Sequence, residues 1–297
     1  MALKPRVFIL NKPPKKTSQS ILYDLKRKLP KGFGKIGHFG TLDPFACGLF
    51  LVGISGAQRL NEFVHQELPK TYLAIGKLGV LTDTGDPTGL ITQKDESRYL
   101  HETIGSFDKE FIQSQLDGLI GIYQQSPHAY SAAKHFGRPL HEWAREGQII
   151  EKPQKERTIY KLEVVKYVFP YLTIRATVSA GTYIRTLFTD ISQKLGTIGS
   201  LIALRREQIG HLHIKQSLNP LTLSSDFYSQ GLRMDEVLSY PKIHLTIEEQ
   251  KIIQNGGFLK TELKPSLHWL MGDDEVVAMG ESKDGFLRPK INFQTSS

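Results

Sequence analysis

The sequence predicts an α+β protein, a mixed sheet flanked by helices, with a small β-rich unit at its C-terminal end. Three observations predict it. Short apolar segments with strand character alternate with segments of helical spacing, without the strict strand–helix–strand repeat of a parallel sheet. The 297 residues, 39% hydrophobic and 23% charged, suffice for one large domain and a small one. After Pro220 the composition loosens, and a linker-like stretch (Ser224, Ser225, Ser229, Gly231) precedes a terminal segment at 235–297.

Residues 6–10 form a short strand ended by Lys12-Pro13-Pro14. Ser18 is placed to cap a helix whose apolar positions Ile21, Leu22, Leu25 and Leu29 stop before Pro30. A glycine-rich loop at 37–48 leads into a buried strand at 49–54, then a helix through Leu60 and Val64. Residues 71–78 are another strand and 82–89 a turn-rich loop. Asp108 starts a helix containing Phe111, Ile112, Leu116 and Leu119.

Residues 126–153 carry three prolines and only weak periodicity. His128, Lys134, His135, Arg138, His141 and Arg145 mingle there with Tyr130, Phe136 and Trp143, a mixture suited to phosphate pairing and base stacking. A helical hairpin packed on the core through Leu140, Trp143 and Ala144 fits the same residues. Strands at 159–168 and 172–178 pair; in the second, Leu172, Ile174, Ala176 and Val178 alternate with polar neighbours. Ile184, Leu187, Phe188, Ile191 and Leu195 then make an amphipathic helix closed by Gly196. The tail ends in a hairpin, residues 276–281 and 286–289, around Lys283-Asp284-Gly285.

The formal net charge is +8, unevenly spread. Residues 1–40 hold ten Lys or Arg and one acid, which leaves 28 basic and 29 acidic residues for the rest of the chain. That excess would attract a phosphate backbone; a solvated basic surface is the alternative. No apolar run is long enough for a bilayer crossing and the first residues lack a signal peptide's apolar centre, so a cytoplasmic protein is expected. The single cysteine, Cys47, excludes an internal disulfide framework. No Walker or dinucleotide phosphate loop is present, and His211 and His213 lack the spacing of a metal site.

The most informative stretch is Gly37-His38-Phe39-Gly40-Thr41-Leu42-Asp43-Pro44-Phe45-Ala46-Cys47-Gly48. Pro44 biases Asp43 towards extended backbone, so the loop presents one carboxylate in a defined direction. By itself this segment also reads as a turn opened by an Asp-Pro pair. The block resembles the signature of the TruB family of tRNA pseudouridine synthases, whose catalytic aspartate sits in such a loop. Four further segments resemble that family in the same order: Asn11-Lys12-Pro13; Thr82-Asp83-Thr84 with Asp86 and Gly89; Tyr130-Ser131-Ala132 with Lys134; and Gly181-Thr182-Tyr183-Ile184-Arg185-Thr186. The resemblance spans roughly residues 6–215 and only loosely the tail.

The resemblance implies a mostly antiparallel catalytic domain at 1–220, a thumb-like RNA-gripping insertion at about 126–153, and a small PUA-like domain at 235–297. It implies that a uridine in the T-loop of tRNA is turned out and isomerised, by a monomer that needs no protein partner. The isomerisation involves no redox change and no net hydrolysis, so no cofactor or metal is demanded. By resemblance Asp43 is the catalytic carboxylate, Arg185 its ion-pair partner, and Tyr72 a stacking or proton-transfer group. His38, Lys12, Tyr183, Leu204 and Lys134 are expected at the substrate: Leu204 against the flipped base, His38 filling the space it leaves. Two departures stand out. Cys47 occupies a position where the family often has threonine or a small residue, and Ala180 replaces a frequent lysine.

Overall fold

Along Tyr171–Val178, Leu172, Ile174, Ala176 and Val178 are buried while Thr173, Arg175 and Thr177 remain more open. A strand patterned this way has one face committed to a core. The computed structural model describes residues 3–293 apart from 129, 132, 151 and 225. In it, this strand lies within a nine-stranded sheet. The main path of that sheet runs Arg6–Lys12, Cys47–Ile54, Gly199–Ile209, Lys70–Leu78, Tyr171–Val178, Lys155–Val168, Gly121–Gln125. Every pairing along the path is antiparallel except one short parallel contact, which sets Arg205 opposite Cys47 and Arg206 opposite Gly48. The expected α+β, mostly antiparallel architecture is present.

The helices form where spacing placed them, with differences in detail. Thr17 rather than Ser18 caps the helix Ser18–Lys28, its hydroxyl accepting from the Ser20 N–H at 3.0 Å. Ser18 is buried instead, and its hydroxyl bonds both the N–H and the carbonyl of Leu42 at 3.1 Å. This fastens the helix to the loop that carries Asp43. Asp108 does cap Lys109–Asp117, accepting from the Phe111 N–H at 2.7 Å. Phe111 itself faces solvent, and Ile112 and Leu116 supply that helix's core contacts.

Two parts of the chain differ more substantially from the sequence expectation. Gly199–Ile209 is a central strand, disguised by a register shift between Leu201 and Ala203 and by Arg205-Arg206-Glu207 at its end. The linker-like stretch is a packed strap: Phe227 is buried with its ring 5.2 Å from that of Phe8, and Leu232 bridges to Val7. Ser225 of that stretch, Ala132 and the side chain of His141 lie outside the described residues.

The C-terminal segment forms a five-stranded sheet in the order Lys242–His244, Ser266–Gly272, Glu275–Lys283, Phe286–Asn292, Leu259–Lys260, with the helix Ile247–Gln254. Asp284 and Gly285, at φ 53° and 76°, make the tight turn of the expected hairpin. Trp269, Met271, Val276 and Met279 of this sheet share one buried cluster with Val7, Ile9, Leu49 and Leu51. The opposite face of the large sheet packs on residues of Ser18–Lys28, Lys109–Asp117 and Ile184–Lys194. Among the described residues no helix is long and apolar enough to cross a membrane.

Within 126–153 the chain makes a two-residue hairpin, Lys134–His135 with Arg138–Pro139, followed by the helix Leu140–Arg145. Arg138 lies 4.9 Å over the Trp143 ring and pairs with Glu142 and Glu146. Phe136 projects from the turn, 91% exposed.

Candidate active site

The Asp43 loop joins the strands Ile36–His38 and Cys47–Ile54 and is pinned from beneath. The Lys15 N–H donates to the Pro44 carbonyl at 2.7 Å. Lys12 gives its ammonium protons to the carbonyls of Pro13 (3.0 Å), Pro44 (3.4 Å) and Ala46 (2.6 Å). The side chain expected to contact substrate is thus a brace: Lys12 is 0% exposed and does not line the cleft. Burial, with Arg206 nearby, pushes its pKa down to about 8. Gly48 at the loop's end has φ 105°, and a Cβ there would fall 2.4 Å from the Arg206 carbonyl. Only glycine lets the two strands approach so closely at that backbone angle.

Arg185 enters from the first turn of Ile184–Lys194, a helix start held by one side-chain amide. Gln125 donates to the Tyr183 carbonyl at 3.0 Å and accepts from the Tyr183 N–H at 2.7 Å. The guanidinium then spends its donors in several directions. Its Nε meets Asp43 Oδ2 at 3.0 Å and its Nη1 meets Asp86 Oδ2 at 3.1 Å. Nη1 also donates to the Thr84 carbonyl (2.9 Å) and Nη2 to the Tyr130 carbonyl (3.0 Å). Asp86 is buried, and its other oxygen accepts from the Thr84 hydroxyl and the Thr88 N–H, each at 2.9 Å. One cation therefore serves two carboxylates at the cleft, Asp43 with its side chain 36% exposed and Asp86 with its side chain 4% exposed.

The charge balance at Asp43 follows from this. Burial raises its pKa above the ordinary carboxylate value; Arg185 opposes that and the like charge of Asp86 reinforces it, so the net direction is upward.

The cleft has a volume of about 990 Å³. Tyr72, Leu204, His38 and Tyr183 line it together with Asp43 and Arg185, so six of the eight residues named from sequence share one cavity. Tyr72 and Leu204 stand on adjacent antiparallel strands. The His38 ring packs 5.3 Å from Phe50, its buried Nδ1 has no partner, and burial followed by Arg206 lowers its pKa, leaving it neutral at pH 7. Lys134 is the exception besides Lys12: it sits exposed on the hairpin of the insertion, away from the cleft wall. Asp86, Gln125, Lys70 and Arg206 were given no role from sequence. Asp86 stood in a recognisable segment, whereas nothing local marks the other three.

Residues 26–184 match the TruB family pseudouridylate synthase N-terminal domain. The chain belongs to the TruB family. It is 35% identical over 263 residues to tRNA pseudouridine synthase B of Thermotoga petrophila, covering 88% of this chain and 82% of that protein. It is 34% identical over 294 residues to tRNA pseudouridine synthase B of Francisella philomiragia, covering 97% and 94%. Among solved structures, a chain of a Cbf5–Nop10–Gar1 complex superposes with a TM-score of 0.69 at 21% identity, covering 97% of this chain and 85% of that one. A chain of an H/ACA ribonucleoprotein bound to a substrate RNA containing 2′-deoxyuridine gives a TM-score of 0.68 at 20% identity, covering 98% and 85%. At those identities the likeness is one of fold.

The shared guanidinium favours the ionised form of Asp43 while leaving that carboxylate reachable from the cleft. The departure at Cys47 leaves that arrangement intact. Its thiol is half-buried and burial pushes its pKa up, so it carries little thiolate at neutral pH.

Proposed function

We propose that this chain converts a uridine in the T-loop of tRNA to pseudouridine, acting in the cytoplasm as a monomer without cofactor or protein partner. The observation that carries the reading is the Asp43 carboxylate at 3.0 Å from the Arg185 Nε, open to a cleft of about 990 Å³. The names of the relatives and the RNA-suited insertion at 126–153 support tRNA as the substrate.

A base inside a loop must leave its stack before Asp43 can reach the ribose. Unstacking costs on the order of a few kcal/mol, offset by contacts in the pocket. Tyr72 offers a ring face to the uracil and Leu204 an apolar surface beside it, while neutral His38 fills the space left behind. Asp43 acts next to C1′, and Arg185 keeps it ionised and aimed. Exposed Phe136 and Lys134 of the insertion hold the loop from outside, and exposed Arg145 meets it at the cleft wall.

The test is site mapping of pseudouridine in a tRNA transcript and in an isolated T-arm stem–loop. Wild-type protein is expected to modify one T-loop uridine in both. Asp43→Asn is expected to bind both with unchanged affinity and modify neither; full activity in that variant would end the proposal.

A further inference from the structure

Among the described residues, three buried cations lie at or under the cleft with no carboxylate within ion-pair distance, although the charge of Asp43 is felt at Lys12. Lys12, Lys70 and Arg206 are 0%, 4% and 2% exposed. Lys70 donates to the carbonyls of Val64 (3.2 Å), His65 (3.0 Å) and Leu68 (2.6 Å) at the end of the helix Asn61–Glu67. Arg206 donates from Nε to the Leu49 carbonyl at 2.8 Å and from Nη2 to the Gly40 carbonyl at 3.1 Å. Among the described residues no hydrogen bond engages its Nη1, which lies next to Gly40 on the cleft wall. Of the four buried cations around this floor, counting Arg185, only Arg185 is ion-paired, to Asp43 and Asp86; the third carboxylate of the cleft, Asp83, is exposed. Neutral donors would satisfy the same carbonyls, whereas burying charge without a counter-charge is costly. An anionic group on an occupant of the cleft would supply the counter-charge.

Strand register says which part of the occupant it is. Arg206 is directly opposite Tyr72 in the antiparallel pair, and Leu204 is opposite Ala74. Facing residues of such a pair project to the same side with neighbouring side chains. The guanidinium, 2% exposed, therefore lies on the same face of the sheet as the Tyr72 ring.

We propose that Arg206 is a further catalytic residue, whose free Nη1 binds the uracil ring while that ring carries negative charge, with Lys70 supporting it electrostatically. The proposal rests on the pseudouridine-forming reading of the cleft. In the first step the C1′–N1 bond breaks, its electron pair stays on N1 and spreads to the ring oxygens, and the Asp43 carboxylate bonds C1′. In the second, C5 of the turned base attacks C1′ and the ester bond to Asp43 breaks, restoring the carboxylate. The C5 proton then leaves to solvent and N1 takes one up. Between these steps the detached base is an anion, and a fixed donor in a dry site stabilises it without reorganisation. Lys70, whose pKa burial and Arg206 lower to about 8, still carries charge at neutral pH.

The experiment compares single-turnover C1′–N1 cleavage in two tRNA transcripts, one with uridine and one with 5-fluorouridine at the target, alongside tRNA affinity and thermal melting. Fluorine at C5 stabilises the base anion by itself, so it lessens the need for Arg206. Arg206→Met is expected to slow cleavage of the uridine substrate about 100-fold with affinity changed less than about threefold. With 5-fluorouridine the deficit is expected to shrink to about tenfold, and Arg206→Lys is expected to recover part of the loss. Equal deficits on both substrates, or a loss confined to affinity and its salt dependence as for a phosphate contact, would overturn it. Should Arg206→Met fail to fold, Arg206→Lys and Lys70→Met take its place in the comparison, and the same results support or overturn the proposal. Asp43→Asn stays inactive on both substrates in every outcome if the underlying reading of the cleft holds.

Discussion

At the scale of single residues, the site is one guanidinium divided between two acids. Asp43 is the more exposed of the two, and its pKa is raised. In the proposed reaction the carboxylate acts ionised, so kcat/KM is expected to rise with pH through that raised value and level off above it. Asp86→Asn removes a like charge that lifts the Asp43 pKa, so its acid limb is expected at lower pH than the wild type's. The plateau is expected to fall, since Arg185 loses one of its two anchors. A pH–rate profile on tRNA checks both, and a limb displaced upward would contradict the charge balance. The same shift bears on stability. A carboxyl whose folded pKa exceeds its unfolded one contributes stability below the unfolded pKa, lost as pH rises through the folded value. Asp43→Asn removes that loss, and its Tm at pH 7 is expected above the wild type's, measured by calorimetry. Asp43 and its loop were legible in the sequence because the residues that aim it, Gly40, Leu42 and Pro44, are its neighbours in the chain. The burial of Lys12 was not, because its acceptors Pro44 and Ala46 lie 32 and 34 positions away.

At the scale of elements, the helix Ile184–Lys194 places Arg185, and Gln125 from the edge strand Gly121–Gln125 fixes where that helix starts. Gln125→Ala leaves the Tyr183 N–H and carbonyl without their buried partner, a loss of about 1–3 kcal/mol. Its activity is expected to fall about tenfold with tRNA affinity little changed, because Arg185 is displaced while the binding surface remains; urea unfolding and single-turnover rates read the two effects. Helices and regular strands announced themselves through spacing, as Leu172, Ile174, Ala176 and Val178 did. The strand Gly199–Ile209 did not, because a register shift breaks its alternation and Arg206 is buried where the pattern calls for an apolar residue.

At the scale of the whole molecule, the terminal sheet is joined to the catalytic sheet through a common core. Trp269, 0% exposed, donates its indole N–H to the Leu238 carbonyl at 2.7 Å within the cluster that also holds Val7, Leu49 and Leu51. Trp269→Ala is expected to cost about 3–5 kcal/mol and to lower the stability of both units together. Calorimetry is expected to show one transition for the wild type and the variant alike; two separated transitions would show that the units are independent. The chain beneath this junction is also where the looser composition misled, since residues 224–231 read as a linker yet pack through Phe227 on the edge strand.

The sequence by itself determined the alternation of strands and helices, the loop that presents Asp43, and the family to which those motifs point. Each depends on residues close together in the chain, where spacing and backbone restriction act locally. Tertiary structure alone decided that Arg185 also holds Asp86, that Lys12 braces rather than binds, and that Lys70 and Arg206 leave positive charge beneath the cleft. Those outcomes depend on which distant carbonyls and carboxylates a folded sheet brings within hydrogen-bond reach, and on the loss of water that makes each buried charge matter.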